Sequence, residues 1–157
     1  MLAAKVKVAT LKILVFRVGT LYLALRLEGV KKVTPMPKIL KSGDKFLGIT
    51  QMEGEEVIVF DLYQKIYGRP AEESQGFLVT VQTHQNRYGI TAAILPIMRD
   101  IPLSEFRAVP ADYRDHDTLG IADQMVEVTL DNKAVVTAFL LDPAQLLAAD
   151  SGWAAIA

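Results

Sequence analysis

The sequence predicts a mainly β protein of two similar lobes, and three observations carry that reading. Short apolar runs rich in β-branched and aromatic residues recur at regular spacing, Gly and Pro break them at the joins, and the order of these features repeats once along the chain. Such a pattern argues for small barrels or a sandwich rather than βαβ units.

Taken in order, Ile13 to Leu27 reads ILVFRVGTLYLALRL, two strand-like runs either side of Gly19-Thr20, which is the pattern of a hairpin. Glu28 to Val33 is short and charged, and Pro35 and Pro37 then remove backbone donors, so a loop is expected to begin here. FLGITQMEGEEVIVFDL holds two further runs around Met52-Glu53-Gly54-Glu55, a second hairpin whose glycine is suited to positive φ. Tyr63 to Gly68 reads as a short helical turn closed by glycine and Pro70. The polar stretch from Ala71 to Gly76 marks the boundary between lobes.

The second half repeats the first loosely. Leu14-Val15-Phe16 is answered by Leu78-Val79-Thr80, and Gly19 to Leu25 by Gln85-Asn86-Arg87 and YGITAAI. The Pro35-Met36-Pro37 loop has a counterpart near Pro110, Leu47-Gly48-Ile49 recurs as Leu119-Gly120-Ile121, and VIVFDL as VVTAFLLD. The spacing drifts, which is the mark of a degenerate duplication. Pro143 then opens AQLLAADSGWAAIA, rich in helix formers, with Trp153 and Ile156 placed to anchor a C-terminal helix. The expectation is one domain over 1–157: lobe one at about 13–70, lobe two at about 76–142, and the helix at about 143–156. At 157 residues and 51% hydrophobic, the chain has material for one sizeable core.

Function classes fall away one by one. The 17 Lys and Arg nearly balance 18 Asp and Glu, and no run clusters basic residues as a phosphate backbone requires, so no nucleic-acid partner is expected. A nucleic-acid-binding β-barrel module stays as the alternative from another class. No cysteine is present, which excludes disulfides and thiolate chemistry and fits a reducing, cytoplasmic setting. The apolar N-terminus is interrupted by Lys5, Lys7 and Lys12, and no later run has the length to span a bilayer, so no membrane insertion is expected.

Site chemistry is equally thin. His84 and His116 are the sole histidines and lack ligand spacing; Asp115-His116-Asp117 lacks the glycine and distal glutamate of a calcium loop. None of Ser42, Ser74, Ser104 and Ser151 lies in a nucleophile elbow, and no phosphate-binding glycine loop occurs. The acid pairs Glu55-Glu56 and Glu72-Glu73 sit in polar, turn-like surroundings. No catalytic, cofactor or metal residue is assigned, the chain is not expected to be an enzyme, and a protein-binding surface remains.

At this point the residues carry a resemblance. ILVFRVGTLYLALRLEGVKKVTPMP and FLGITQMEGEEVIVFDLYQKIYG look like the first lobe of CheW-like chemotaxis coupling proteins, which typically read LVF, a glycine turn, V-x-E-V, G-V-x-N-L-R-G and V-P-V-V-D-L. YGITAAILPIMRDI, the Phe106 to Pro110 segment, LGIA and AFLLDPAQLL follow as the second lobe, so the likeness runs from about Ile13 to Leu147. The resemblance implies two five-stranded, SH3-like barrels around a shared core, no active site and no obligatory cofactor. It also implies a scaffold between a CheA-like histidine kinase and a methyl-accepting chemoreceptor, or an equivalent pair in a twitching-motility or phototaxis cluster.

Positions carried over from the family are Val30, Gly48 and Met98 for a receptor-facing groove, and Arg107 for the kinase-facing side. Two depart from the pattern. Lys32 stands where the family commonly has glutamate in V-x-E-V, and Glu53 where it has arginine in N-L-R-G. This double reversal is expected to keep an ion pair while inverting its polarity. The second lobe departs too, with alanine at the aspartate of the family's G-L-x-V-D stretch.

Overall fold

The first hairpin forms around Gly19-Thr20, from β1 (Thr10–Val18) and β2 (Leu21–Arg26), with Val18 opposite Leu21. Gly19 takes φ +62, and a Cβ there would lie 2.5 Å from the Tyr67 ring, so both backbone and space call for glycine. These and the following features come from a computed structural model, which describes residues 8–41, 47–72, 75–82, 87–110 and 122–142.

The loop expected after Glu28 starts later than the charges indicate. Val30–Pro35 is itself a strand, β3, and it lies at a sheet edge, where a terminal proline removes no ladder donor. After it come β4 (Leu40–Lys41), β5 (Leu47–Met52) and β6 (Glu55–Phe60). The β5–β6 turn pairs Met52 with Glu55 and holds both Glu53 and Gly54 at positive φ, +53 and +80. Both central residues are thus left-handed, the geometry that matches the twist of a tight hairpin. Helix α1 (Leu62–Tyr67) is capped by Asp61, whose Oδ1 accepts from the Gln64 amide at 3.1 Å, and ends at Gly68 with φ +73.

Six strands complete the described chain: β7 (Phe77–Gln82), β8 (Arg87–Ala92), β9 (Ile97–Pro102), β10 (Arg107–Ala108), β11 (Ala122–Thr129) and β12 (Val135–Leu141). They repeat β1–β6 in order. Proline closes β9 at Pro102 as it closes β3 at Pro35, so the counterpart of the Pro35 loop is Pro102 rather than Pro110. Two-residue β10 occupies the stretch just before Pro110, as two-residue β4 follows the Pro35 loop. The Leu119-Gly120-Ile121 landmark, both histidines and the C-terminal helix lie outside the described residues.

Among the described residues each sheet has six strands, five long and one of two residues. Their orders are β3-β7-β8-β6-β5-β4 and β10-β11-β12-β2-β1-β9. The polar stretch at 71–76 separates the two runs of six, yet each sheet borrows its first hairpin from the other run. β1–β2 joins β9–β12, and β7–β8 joins β3–β6, through the same contacts in each case. β1 meets β9 and β7 meets β3 antiparallel; β2 meets β12 and β8 meets β6 parallel.

Alternation sends two faces of these strands to two destinations. Leu14, Phe16, Val18, Leu23 and Leu25 pack with Phe60, Val79, Val81, Tyr88 and Ile90 in a core shared by both sheets, where Phe60 and Tyr88 meet edge to face at 5.6 Å. Ile13, Val15, Ala24, Val126, Ala138 and Leu140 fill the interior of the second sheet. Tyr67 ties the two sheets from outside the core. Its hydroxyl accepts from the Thr20 amide at 3.0 Å and donates to the Val18 carbonyl at 3.2 Å, gripping the β1–β2 turn from α1, which follows the other sheet.

Candidate functional site

The candidate site is built on the β5–β6 turn. Glu53 is a non-glycine residue in the left-handed region, a conformation that costs an ordinary side chain about 1 kcal/mol and is retained where surroundings impose it. Those surroundings are charged. Lys32 on β3 donates from Nζ to Glu53 Oε1. Arg87, the first residue of β8, places Nη1 3.6 Å from Glu53 Oε2 and 3.4 Å from Glu55 Oε2, while its Nε donates to Gln82 Oε1 at 3.2 Å. The hydrogen bond and charge of Lys32 hold the Glu53 carboxyl below the usual carboxylate range, with smaller pulls from Arg87 and Lys31.

The Lys32–Glu53 contact also shows the curl of the sheet. β3 is one edge of the strand order and the β5–β6 turn lies near the other, so a side-chain bridge between them requires the sheet to close on itself. The second sheet repeats the device. Arg99 on edge strand β9 donates from Nε to the Thr129 carbonyl at 2.9 Å and from Nη2 to Asp131 Oδ1 at 2.7 Å, reaching the β11–β12 turn.

The other carried-over residues scatter. Val30 is half-buried on β3 and packs against the shared core. Gly48 is buried on β5, and a Cβ there would lie 2.6 Å from Ile39 Cγ2 and 3.3 Å from the Leu40 carbonyl oxygen, so close packing explains it. Met98 stands out on edge strand β9 with 63% of its surface exposed, one residue from Ile97, which lines a groove of about 340 Å³ with Val15, Tyr22, Ile94 and Leu95. Arg107 is exposed on β10, with Nη2 3.7 Å from Glu127 Oε1. Of the six positions, the structure brings Lys32 and Glu53 into contact; Val30 shares edge strand β3 with Lys32, Gly48 lies on β5, and Met98 and Arg107 lie in the other sheet.

Three organising side chains escaped the sequence reading: Arg87, Arg99 and Tyr67. Each acts on a residue at least 30 positions away, so no local spacing announces it. Among the described residues no group of three His, Cys, Asp or Glu side chains is placed to hold a metal, and no helix is long and apolar enough to cross a membrane.

A sequence model of the CheW-like domain matches residues 12–151. The chain belongs to the CheW-like family. That membership places it among the scaffold domains of chemotaxis-type signalling, which carry no catalytic site. The fold agrees. The crystal structure of the scaffolding protein TtCheW from Thermoanaerobacter tengcongensis superposes with a TM-score of 0.67 at 15% sequence identity, covering 85% of this chain and 90% of that one. Among curated protein sequences none matches significantly. Lys32 on the strand and Glu53 on the turn, the two positions read as charge reversals, are in contact.

Proposed function

We propose that this CheW-like protein is a cytoplasmic adaptor that docks a CheA-type histidine kinase and a chemoreceptor, and that it transmits signal by binding kinase states with different affinity rather than by chemistry. The observation that carries this is the match to the CheW-like domain over residues 12–151, and the contact between Lys32 and Glu53, the two reversed positions, supports it. In this reading Val30, Lys32, Gly48, Glu53 and Met98 belong to receptor coupling, and Arg107 to the kinase side. The test is direct binding of the purified chain to the CheA-type kinase and to receptor signalling fragments of the same cell. Binding to both supports the adaptor; binding to neither, with a folded chain, rejects it.

The reversed polarity of the pair favours a more specific version. A partner fitted to arginine on the turn meets glutamate here, which is the behaviour of a divergent adaptor in a twitching-motility or phototaxis cluster whose partners carry compensating charges. Affinity for kinases and receptors of each type, compared side by side, decides between the two versions.

A further inference from the structure

We propose that one end of the first barrel, the curled sheet β3-β7-β8-β6-β5-β4, is a binding site for a small uncharged molecule: a compact apolar body about the size of one aromatic ring, carrying a single hydroxyl. The site does not depend on the adaptor reading. A partly enclosed cavity of about 170 Å³ lies there, walled by Met36, Ile39, Leu47 and Val59. Gly48 belongs to the same wall, and Ile39 packs on it so closely that a Cβ at this position would lie 2.6 Å from Ile39 Cγ2.

The atom that points to a ligand is Thr91 Oγ1. Thr91 lines the cavity and is only 4% exposed, and its hydroxyl has no hydrogen-bond partner among the described residues. Its direction follows from the pleat. Gly89, two residues earlier on β8, lies opposite Val59 and turns its open side to Leu78, so Thr91 faces the same interior. The other two polar side chains of the lining are committed. Asp61 accepts from the Gln64 amide to cap α1, and Gln75 has interactions of its own.

A buried hydroxyl that has given up water without gaining a partner is a cost to the free protein, and a ligand that hydrogen-bonds to it removes that cost on binding. Volume sets the size: an apolar cavity of roughly 150 Å³ holds a benzene-sized molecule. Charge sets the class. The Asp61 carboxylate in the lining repels an anion, and the group awaiting a partner is neutral, so a hydroxyl matches it and a carboxylate does not. Water is the poorer occupant, because an ordered water needs about two to four polar partners and most of this wall is hydrocarbon.

The experiment titrates the full chain with phenol, with toluene, which has nearly the same shape without the hydroxyl, and with benzoate. Backbone amide shifts are followed by NMR and Tm by calorimetry. The expected result is saturable phenol binding with a Kd of about 1 mM, shifts centred on Gly48, Val59 and Thr91, toluene at least about fivefold weaker, and benzoate without effect. Thr91→Val keeps or raises the Tm of the free protein and brings phenol down to the toluene level. Thr80→Val, which removes a hydroxyl of the same interior away from the cavity lining, leaves phenol binding unchanged. Val59→Ile takes up part of the volume and weakens phenol and toluene together. The site is overturned by the absence of saturable binding, by shifts centred elsewhere, such as the groove beside Ile94 and Leu95, or by equal affinity for phenol and toluene. It is overturned equally by benzoate binding as tightly as phenol, or by a Thr91→Val variant that binds phenol as the wild type does or unfolds at a lower temperature.

Discussion

On one rung of the second barrel, crossing β1, β2 and β12, the inward residues are Val15, Ala24 and Leu140; on the equivalent rung of the first, crossing β7, β8 and β6, they are Thr80, Gly89 and Val59. The next inward pair is Val126 with Ala138 in one and Thr50 with Val57 in the other. Strand order and pairing are the same, so topology does not depend on these interiors being alike. What differs is the chemistry of filling. The second barrel is wholly aliphatic on these rungs, while the first has buried hydroxyls of uneven quality. Thr50 Oγ1 donates to the Lys38 carbonyl at 2.8 Å, Thr80 Oγ1 reaches the Met52 sulfur at 3.9 Å, and Thr91 Oγ1 has no hydrogen-bond partner among the described residues. A buried hydroxyl without a good partner costs about 1–3 kcal/mol, so these rungs contribute less stability in the first barrel than in the second.

The largest blow to this contrast is to the aliphatic side. Leu140→Ala should cost about 2–5 kcal/mol in urea unfolding, and Val59→Ala on the matching rung distinctly less; equal losses would mean the two interiors contribute alike. Next comes the tie between barrels. Tyr67→Phe removes the hydroxyl that grips Thr20 and Val18, for an expected loss of about 1–2 kcal/mol; an unchanged midpoint would show that the shared core alone joins them.

Smaller and opposite effects are expected from the hydroxyls. Thr50→Val loses a sound hydrogen bond and should destabilise by about 1 kcal/mol, whereas Thr80→Val, which makes the first rung like the second, should stabilise by about 0.5–1 kcal/mol. The same sign for both would refute the uneven quality assigned to them. The smallest effect is electrostatic. Glu53 has a lowered carboxyl pKa in the folded state, so its contribution is present above the ordinary carboxylate range and is lost as pH falls through that lowered value. The stability gap between the wild type and Glu53→Gln should hold from neutral pH down to that range and then close. A gap that stays constant into strong acid would place the stabilisation outside the ion pair.

Much of this fold was legible because hairpins announce themselves locally. Gly19-Thr20 and Glu53-Gly54 mark turns, apolar runs mark strands, and Gly68 with Pro70 marks the end of α1, while its Asp61 cap was not read. The exchange of hairpins was not legible, since nothing in β2 records that its parallel neighbour is β12 rather than β6. The Pro102 landmark was missed for a related reason: proline marks a strand end but not which end, and a drifting repeat leaves two candidates. At the site, the bond between Lys32 and Glu53 was foreseen from complementary reversals. Arg87 was placed in a turn, and its two carboxylate contacts follow only from the parallel pairing of β8 with β6.

The exchanged hairpins also set an order of assembly. Tyr22 lies opposite Ala138 and Leu14 opposite Met98, so the first hairpin made has its neighbours among the last strands to emerge. During synthesis β1 and β2 wait, edges open, until β9 and β12 arrive, whereas β7 and β8 find β3 and β6 already made. High sequence separation of this kind slows folding and lengthens the time that sticky strands stand exposed. Cutting the chain between the two runs of six would leave each fragment with a hairpin whose sheet neighbours lie in the other.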